Sequence, residues 1–417
     1  MNYLLDLLLI PMQVIIVIYT VYYFILAVVG MWRSRVHKNY TPKNSFAIVV
    51  CAHNEEAVVG ELVKNLRGLD YPDDLYDIFV VADNCTDKTA EVASAAGANV
   101  HVRENKQEIG KGYAMGWMFD RVEQMDRKYD AFLIFDADNL VHPQFMLEMN
   151  DHLEKGESVI QGYLNSKNPT DSWVAGTFSI AFWMVNHMWH LAKYRLGLST
   201  ALGGTGMCIR TSIIREYGWD CNSLTEDMEF SMKLLTHGIR TCDAIVYDEK
   251  VTTMMASCRQ RLRWAQGQFD CAGRYIPKLF AIGIKTGNIM ILDGIFQVSQ
   301  PYFLLLTTVY LVLSYINAYT PIYTNILYQI MPMSVWTIIG VGQYLFPLIV
   351  LLKIKVPPKI WFYYLLYPLF VYSWIPVNIL GWFRRHNKVW SHTVHTRAVG
   401  LDDVKLTRMG NMNKNKK

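Results

Sequence analysis

Ala131-Phe132-Leu133-Ile134-Phe135-Asp136-Ala137-Asp138-Asn139 sets an unbroken apolar run directly before two carboxylates. A short apolar run of this kind reads as a strand buried on both faces of a parallel sheet. Ligands of such sheets bind beyond the carboxyl ends of the strands, which is where Asp136 and Asp138 fall. An Asp-x-Asp pair is common in any sequence. At the end of a buried strand it offers hard oxygen ligands for Mg2+ or Mn2+, ions that bridge carboxylates to substrate phosphates.

Working outward, residues 46–52, 76–82 and 99–103 are further apolar, β-branched runs. Helical spacing fills the gaps over 55–69, 86–96 (capped by Thr86 or Asp87) and 111–125. Strand and helix alternate through short connections, which predicts an α/β domain, Rossmann-like, with a mostly parallel sheet and helices on both faces. Three more polar sites then fall at strand ends. Asn54 and Glu55 follow the first strand and Asp83 ends the second, placed to hydrogen-bond a nucleoside; a helix cap at Asn54 and a turn at Asp83 are the alternative, and the strand-end placement favours nucleotide contact. Lys111, between Gly110 and Gly112, can approach a phosphate as a point charge or be an exposed loop lysine.

Residues 140–280 are less regular. A long helix over 172–196 carries Trp173, Phe178, Phe182, Trp183 and Trp189. Trp183, His187 and His190 on it are candidates for an acceptor platform or a metal pair; no third ligand lies nearby, so core packing is the default reading. Leu202-Gly203-Gly204-Thr205-Gly206 is a flexible turn. A helix over 226–237 opens on Thr225-Glu226-Asp227 and stops at Gly238. Capping by Thr225 with acids in the first turn accounts for that opening, and Asp227 is also a candidate proton acceptor. Residues 260–275 mix Arg with aromatics ahead of Pro277, as suits a membrane interface. Here Arg263 can hold a diphosphate, and Trp264, with Gln260 on the same stretch, can stack on a sugar ring.

Apolar residues make up 52% of the 417 and charged residues 18%, unevenly spread. Leu4 to Trp32 carries one charge, Asp6, whereas residues 45–280 have the balance of a soluble protein. The first run lacks a basic start and a small-residue cleavage site, so it reads as a membrane anchor rather than a signal peptide. Arg33, Arg35, His37 and Lys38 follow it, which puts the N-terminus outside and the next domain in the cytosol. Three apolar windows end the chain, 289–319, 331–352 and 361–383. Asp293, Gln297 and Gln300 make the first a poor lipid-facing helix that lines a cavity or lies at the interface. Three full crossings would strand Arg384, Arg385 and Lys388 outside, so the number of crossings stays open. A net charge of +4 gives no reason to expect a nucleic-acid partner. Seven cysteines without a C-x-x-C pair fit reduced thiols. The polar tail 410–417 is expected to be disordered.

Taken in order, Asn54-Glu55, Asp83, Asp136-Ala-Asp138, Thr225-Glu-Asp227 and Gln260-Arg-Leu-Arg263-Trp264, with Trp390-x-x-Thr393 in the tail, resemble the processive, membrane-integrated glycosyltransferases of family 2, relatives of cellulose, hyaluronan and chitin synthases. The resemblance covers residues 45–400. It implies a GT-A fold in a cytosolic domain at 45–258, an anchor at 1–38, interface helices at 259–288, transmembrane helices at 289–385 and a cytosolic tail at 386–417. It also implies a UDP-sugar donor, a growing polysaccharide acceptor in contact with the lipid bilayer, and Mg2+ or Mn2+ on Asp136 and Asp138. Asn54, Glu55, Asp83, Lys111 and Asp136 would then bind the donor. Asp227, with Glu226 beside it and Asp138 at the metal, would form the catalytic set, and Gln260, Arg263, Trp264 and Trp390 would shape the acceptor and diphosphate site. The implied reaction is inverting transfer of a hexose, UDP-glucose favoured over UDP-N-acetylglucosamine, with extrusion of the polymer; single-sugar transfer to a lipid is the alternative. The short stretch after the last apolar window leaves no room for a cyclic-di-GMP-binding domain.

Overall fold

The computed structural model describes residues 3–32, 40–221, 223–387, 399–401 and 404. Trp390 and the tail 410–417 lie outside the described residues. Strands β1 (Phe46–Ala52), β2 (Tyr76–Asp83), β3 (Asn99–Arg103) and β4 (Ala131–Asp136) form where the apolar runs predict them. They pair in parallel in the order β3-β2-β1-β4. After the N-terminal helix α1 (Tyr3–Gly30), the connecting helices are α2 (Val59–Arg67), α3 (Thr89–Ala95) and α4 (Lys111–Gln124). Alternate residues of a strand face opposite sides. Accordingly Ile48 and Val50 of β1 join the core under α2 and α3, whereas Ala47 and Val49 join Met115, Met118 and Phe119 of α4. Each such side chain withdrawn from water contributes about 1.5–3 kcal/mol.

The second half adds four strands that periodicity did not reveal. They are β5 (Leu140–Val141), β6 (Val159–Ser166), β7 (Met207–Arg210) and β8 (Arg240–Asp248). They extend the sheet to eight strands in the order β3-β2-β1-β4-β7-β6-β8-β5. Pairing is antiparallel at β4–β7, β6–β7 and β5–β8, and parallel at β6–β8. Helices α5 (Phe145–Glu154), α6 (Trp173–Met184), α7 (Leu191–Arg195), α8 (Thr211–Tyr217) and α9 (Glu226–Lys233) complete this part. The helix expected over 172–196 is interrupted: Val185–His190 forms a π-helical turn between α6 and α7. π turns of this kind are local insertions that redirect side chains. This one lies directly on α1, where a side chain at Gly30 would collide with the His187 carbonyl.

Helix α10 (Met254–Thr286) is longer than the expected 260–275 and runs through Pro277 before a left-handed Gly287 ends it. The apolar windows become α11 (Ile289–Val298), α12 (Gln300–Tyr319), α13 (Ile326–Ile330), α14 (Met333–Gln343), α15 (Phe346–Ile354), α16 (Pro358–Tyr364), α17 (Tyr367–Tyr372) and α18 (Trp374–Phe383). Among the described residues, Leu5–Gly30, Gln300–Tyr319 and Met333–Ile354 are long and apolar enough to cross a bilayer. Pro358–Tyr364 and Tyr367–Phe383 form a pair bent by 54°.

Hydrogen bonds order these helices. Asp6 accepts from the Thr324 backbone (2.6 Å) at one end of α1, and Lys353 donates to the Met31 carbonyl at the other. The bent pair begins with Lys359 donating to Thr170 (2.8 Å), and its far end receives Gln266 of α10 at the Arg384 carbonyl (2.9 Å). One end of the bent pair therefore touches the sheet domain, and the other touches α10. In a cysteine-depleted background, Pro357→Cys and His386→Cys will react with an impermeant maleimide only from the face bearing the sheet domain, and Pro321→Cys only from the opposite face. Labelling of the first two from opposite faces would show a complete crossing instead.

Candidate active site

The carboxyl ends of β1, β2 and β4 open into one cavity of about 700 Å3. At the end of β2, Asp83 accepts from Arg103 (2.7 Å) and from Asn84 (3.0 Å). Arg103 is buried, so this ion pair holds the carboxylate in one orientation at the cavity wall. Glu55 also lines the cavity, its backbone N–H bonded to Thr89 (2.8 Å). Asn54 adopts a left-handed φ of 55° and accepts from the Thr86 backbone (2.7 Å), tying two loops together.

Asp136 and Asp138 both line the cavity. The Asp136 N–H is shared by Asn139 and Thr205 (both 3.1 Å), and Asn139 donates to Asp138 (3.2 Å). Lys111 lies here, not on a loop surface. Its ammonium donates to Asp136 and to the Gly204 carbonyl, each at 2.5 Å. Burial works against that charge, but Asp136 and Glu226 outweigh it and keep the ammonium protonated far above neutral pH. The glycine-rich turn is no free loop either: Gln161 accepts from Gly203 N–H (2.7 Å) and donates to the Thr205 carbonyl (2.9 Å). Among the described residues no group of three or more His, Cys, Asp or Glu could enclose a metal. Two carboxylates on an open wall suit an ion that takes its remaining ligands from phosphates and water, so the donor set fits Mg2+ or Mn2+.

Glu226 and Asp227 open α9 on the opposite wall. Burial raises the Glu226 pKa, opposed mainly by Lys111. Burial and the adjacent Glu226 carboxylate push Asp227 up to about 7. Two contacts tie α9 to α10: Glu229 accepts from Arg274 (2.5 Å), and Thr225 packs against Gly267. Along α10, Gln260, Arg263 and Trp264 line the cavity, with Trp264 edge-on to Phe178 (5.7 Å between centroids). Arg261, on the other face, is fully buried between the rings of Phe370 and Trp374 (4.6 and 5.0 Å) and donates to Ser373 (2.9 Å), the residue between α17 and α18. Trp183 is core, donating to Asn165 (2.8 Å). All seven cysteines are free.

Residues 42–267 match the family model described as "Glycosyltransferase like family 2". The chain belongs to this family. It is 27% identical over 286 residues to the probable glycosyltransferase YdaM of Bacillus subtilis, and 28% identical over 240 residues to a β-monoglucosyldiacylglycerol synthase of Nostoc sp.. Those matches cover 66% and 54% of this chain and span 65% and 49% of the two relatives. The solved mannosyltransferase PcManGT of Pyrobaculum calidifontis, in complex with GDP-Man and Mn2+, superposes with a TM-score of 0.55 at 14% identity, over 90% of this chain and 99% of its own. The sheet domain has the GT-A-like fold of these transferases.

Within this family-2 domain, sequence reasoning missed Arg103, Asn139 and Thr205, which hydrogen-bond Asp83, Asp138 and the Asp136 backbone, and Gln161, which pins the glycine-rich turn. Only Asn139 had a local signal, beside Asp138. Gly267 was missed as well: a Cβ there would sit 2.5 Å from Thr225 Oγ1. Gly267→Ala will therefore push α9 from α10 and move Asp227. Misplacement of a catalytic group by about 1 Å costs roughly 10²-fold. Transfer should fall by about that much while UDP affinity, read by titration, holds; an unchanged rate would remove the α9–α10 contact from the account.

Proposed function

We propose that the chain is a membrane-bound, inverting β-glycosyltransferase that moves a hexose from a UDP-sugar, UDP-glucose in preference to UDP-N-acetylglucosamine, onto a growing saccharide chain. The observation carrying this reading is that Asp83, Asp136, Asp138, Asp227 and the Gln260–Trp264 stretch share one cavity, which continues to a wall built by α1 and α11.

In this reading Asp83 and Glu55 bind the nucleoside, and Lys111, Gln260 and Arg263 flank the diphosphate. Asp136 and Asp138 would hold Mg2+ or Mn2+, whose charge offsets that developing on the departing UDP. Asp227 takes the proton from the acceptor hydroxyl as its oxygen bonds to the anomeric carbon; the bond from that carbon to UDP breaks on the opposite face, and α becomes β. Trp264 stands where it can face the acceptor ring. The apolar helices hold the domain at a membrane, with basic residues near both ends of the bent pair on the catalytic, cytosolic side. Aromatic and amide side chains on the far wall support a saccharide acceptor.

A second reading, transfer of one hexose to a lipid, is favoured by the similarity to the β-monoglucosyldiacylglycerol synthase. Membranes fed a panel of labelled UDP-sugars will decide: the proposal expects a polymer ladder with β linkages from one donor, and a monoglycosylated lipid alone would refute it. Asp227 must be ionised to act. With its pKa up to about 7, the rate should rise as pH climbs through neutrality and fall below it. Asp227→Asn should cut transfer by about 10²–10⁴-fold and abolish that pH limb while leaving UDP bound. A variant retaining the wild-type rate and pH profile would exclude Asp227 as the base.

A further inference from the structure

Lys111 is the first residue of α4, and its backbone is fixed. Gly110 precedes it at a φ of 132°, and a Cβ on Gly112 would sit 2.8 Å from the Cys221 carbonyl and 3.1 Å from Glu226. The helix start is thus wedged against α9 and the loop that leads into it. The four-carbon stem of Lys111 is what can swing. Its ammonium lies 2.5 Å from Asp136 Oδ1 and 2.5 Å from the Gly204 carbonyl. Gly204 has a φ of 80°, and a Cβ there would lie 3.4 Å from Asp227 Oδ2 and 4.0 Å from the ammonium. Lys111 therefore stands between Asp136 and Asp227.

This placement conflicts with an ion on the same carboxylate. A divalent cation at Asp136 would bring two more positive charges beside the ammonium, and like charges at that range repel. A diphosphate bound through the ion offers the ammonium charged oxygens instead, and hydrogen bonds between two ionised groups are the stronger kind. The lysine cannot simply withdraw, because Glu226 and Asp227 both draw on its charge. A cation that takes its place beside Asp136 removes that obstacle.

We propose that Lys111 is a charge lock on the donor site. It holds Asp136 until a divalent ion and a nucleoside diphosphate bind together, and then passes from the carboxylate to the diphosphate. The ion alone has to displace the ammonium with no acceptor to receive it. The nucleotide alone meets a lysine already committed to Asp136. Each ligand therefore raises the affinity for the other, by the same factor in both directions. The assignment rests on the UDP-sugar reading above.

The test is a double-variant cycle on the full chain in lipid nanodiscs: wild type, Asp136→Asn, Lys111→Met and the two combined. UDP affinity is read by titration in EDTA and again at saturating Mn2+, and Mn2+ binding without nucleotide by EPR. Asp136→Asn releases the lysine, so UDP in EDTA should bind about three- to tenfold tighter, and adding Lys111→Met should abolish that gain. Lys111→Met alone should bind Mn2+ without nucleotide about tenfold tighter, yet UDP with Mn2+ about tenfold more weakly. A gain from Asp136→Asn that persists without Lys111 would overturn the lock, as a plain change of charge. Mn2+ affinity rising equally with and without UDP in Lys111→Met would also overturn it, as the mark of a lysine that stays in place. Should Lys111→Met fail to fold, unchanged or weaker UDP binding to Asp136→Asn in EDTA overturns the lock by itself. Failure of the donor reading shows separately, as no UDP binding to wild type at saturating Mn2+.

Discussion

The Lys111 ammonium allows Asp136, Glu226 and Asp227 to share one cavity. Three carboxylates brought together from β4 and α9 would repel one another and lose hydration at the same time. Lys111 bonds Asp136 directly and acts on both Glu226 and Asp227 through space. Its own placement depends on the Gly204 carbonyl and so on the Gln161 hydrogen bonds that pin the glycine-rich turn. The remaining imbalance appears at Asp227, whose raised pKa leaves it a stronger base than a free carboxylate.

Helix α10 couples this charge cluster to the apolar helices. One of its faces lines the cavity, while Arg261 sits between Phe370 and Trp374 and Gln266 bonds the Arg384 carbonyl. A buried guanidinium without a carboxylate partner is tolerated only with such directed contacts. The bend in the last apolar window therefore sets the position of the helix that carries Gln260, Arg263 and Trp264.

The four parallel strands were legible because their apolar runs are continuous and buried on both faces, and the acids at their ends followed from sheet geometry. β5 and β7 were not, since runs of two and four residues carry no periodic signal. Pro277 suggested a stop that packing overrode in α10. The aversion of Gln297 and Gln300 to lipid was legible, and both do line the cavity. Lys193, which bonds Asp293 and Gln297, was not, because about a hundred residues separate it from them and no local pattern joins them.

The most direct measurement is a cryo-EM structure of the full chain in a nanodisc with UDP, Mn2+ and a bound acceptor saccharide. The account predicts the ion between the diphosphate and the carboxylates of Asp136 and Asp138, with an acceptor hydroxyl about 3 Å from Asp227. An ion held elsewhere, or an acceptor bound out of reach of Asp227, would contradict it.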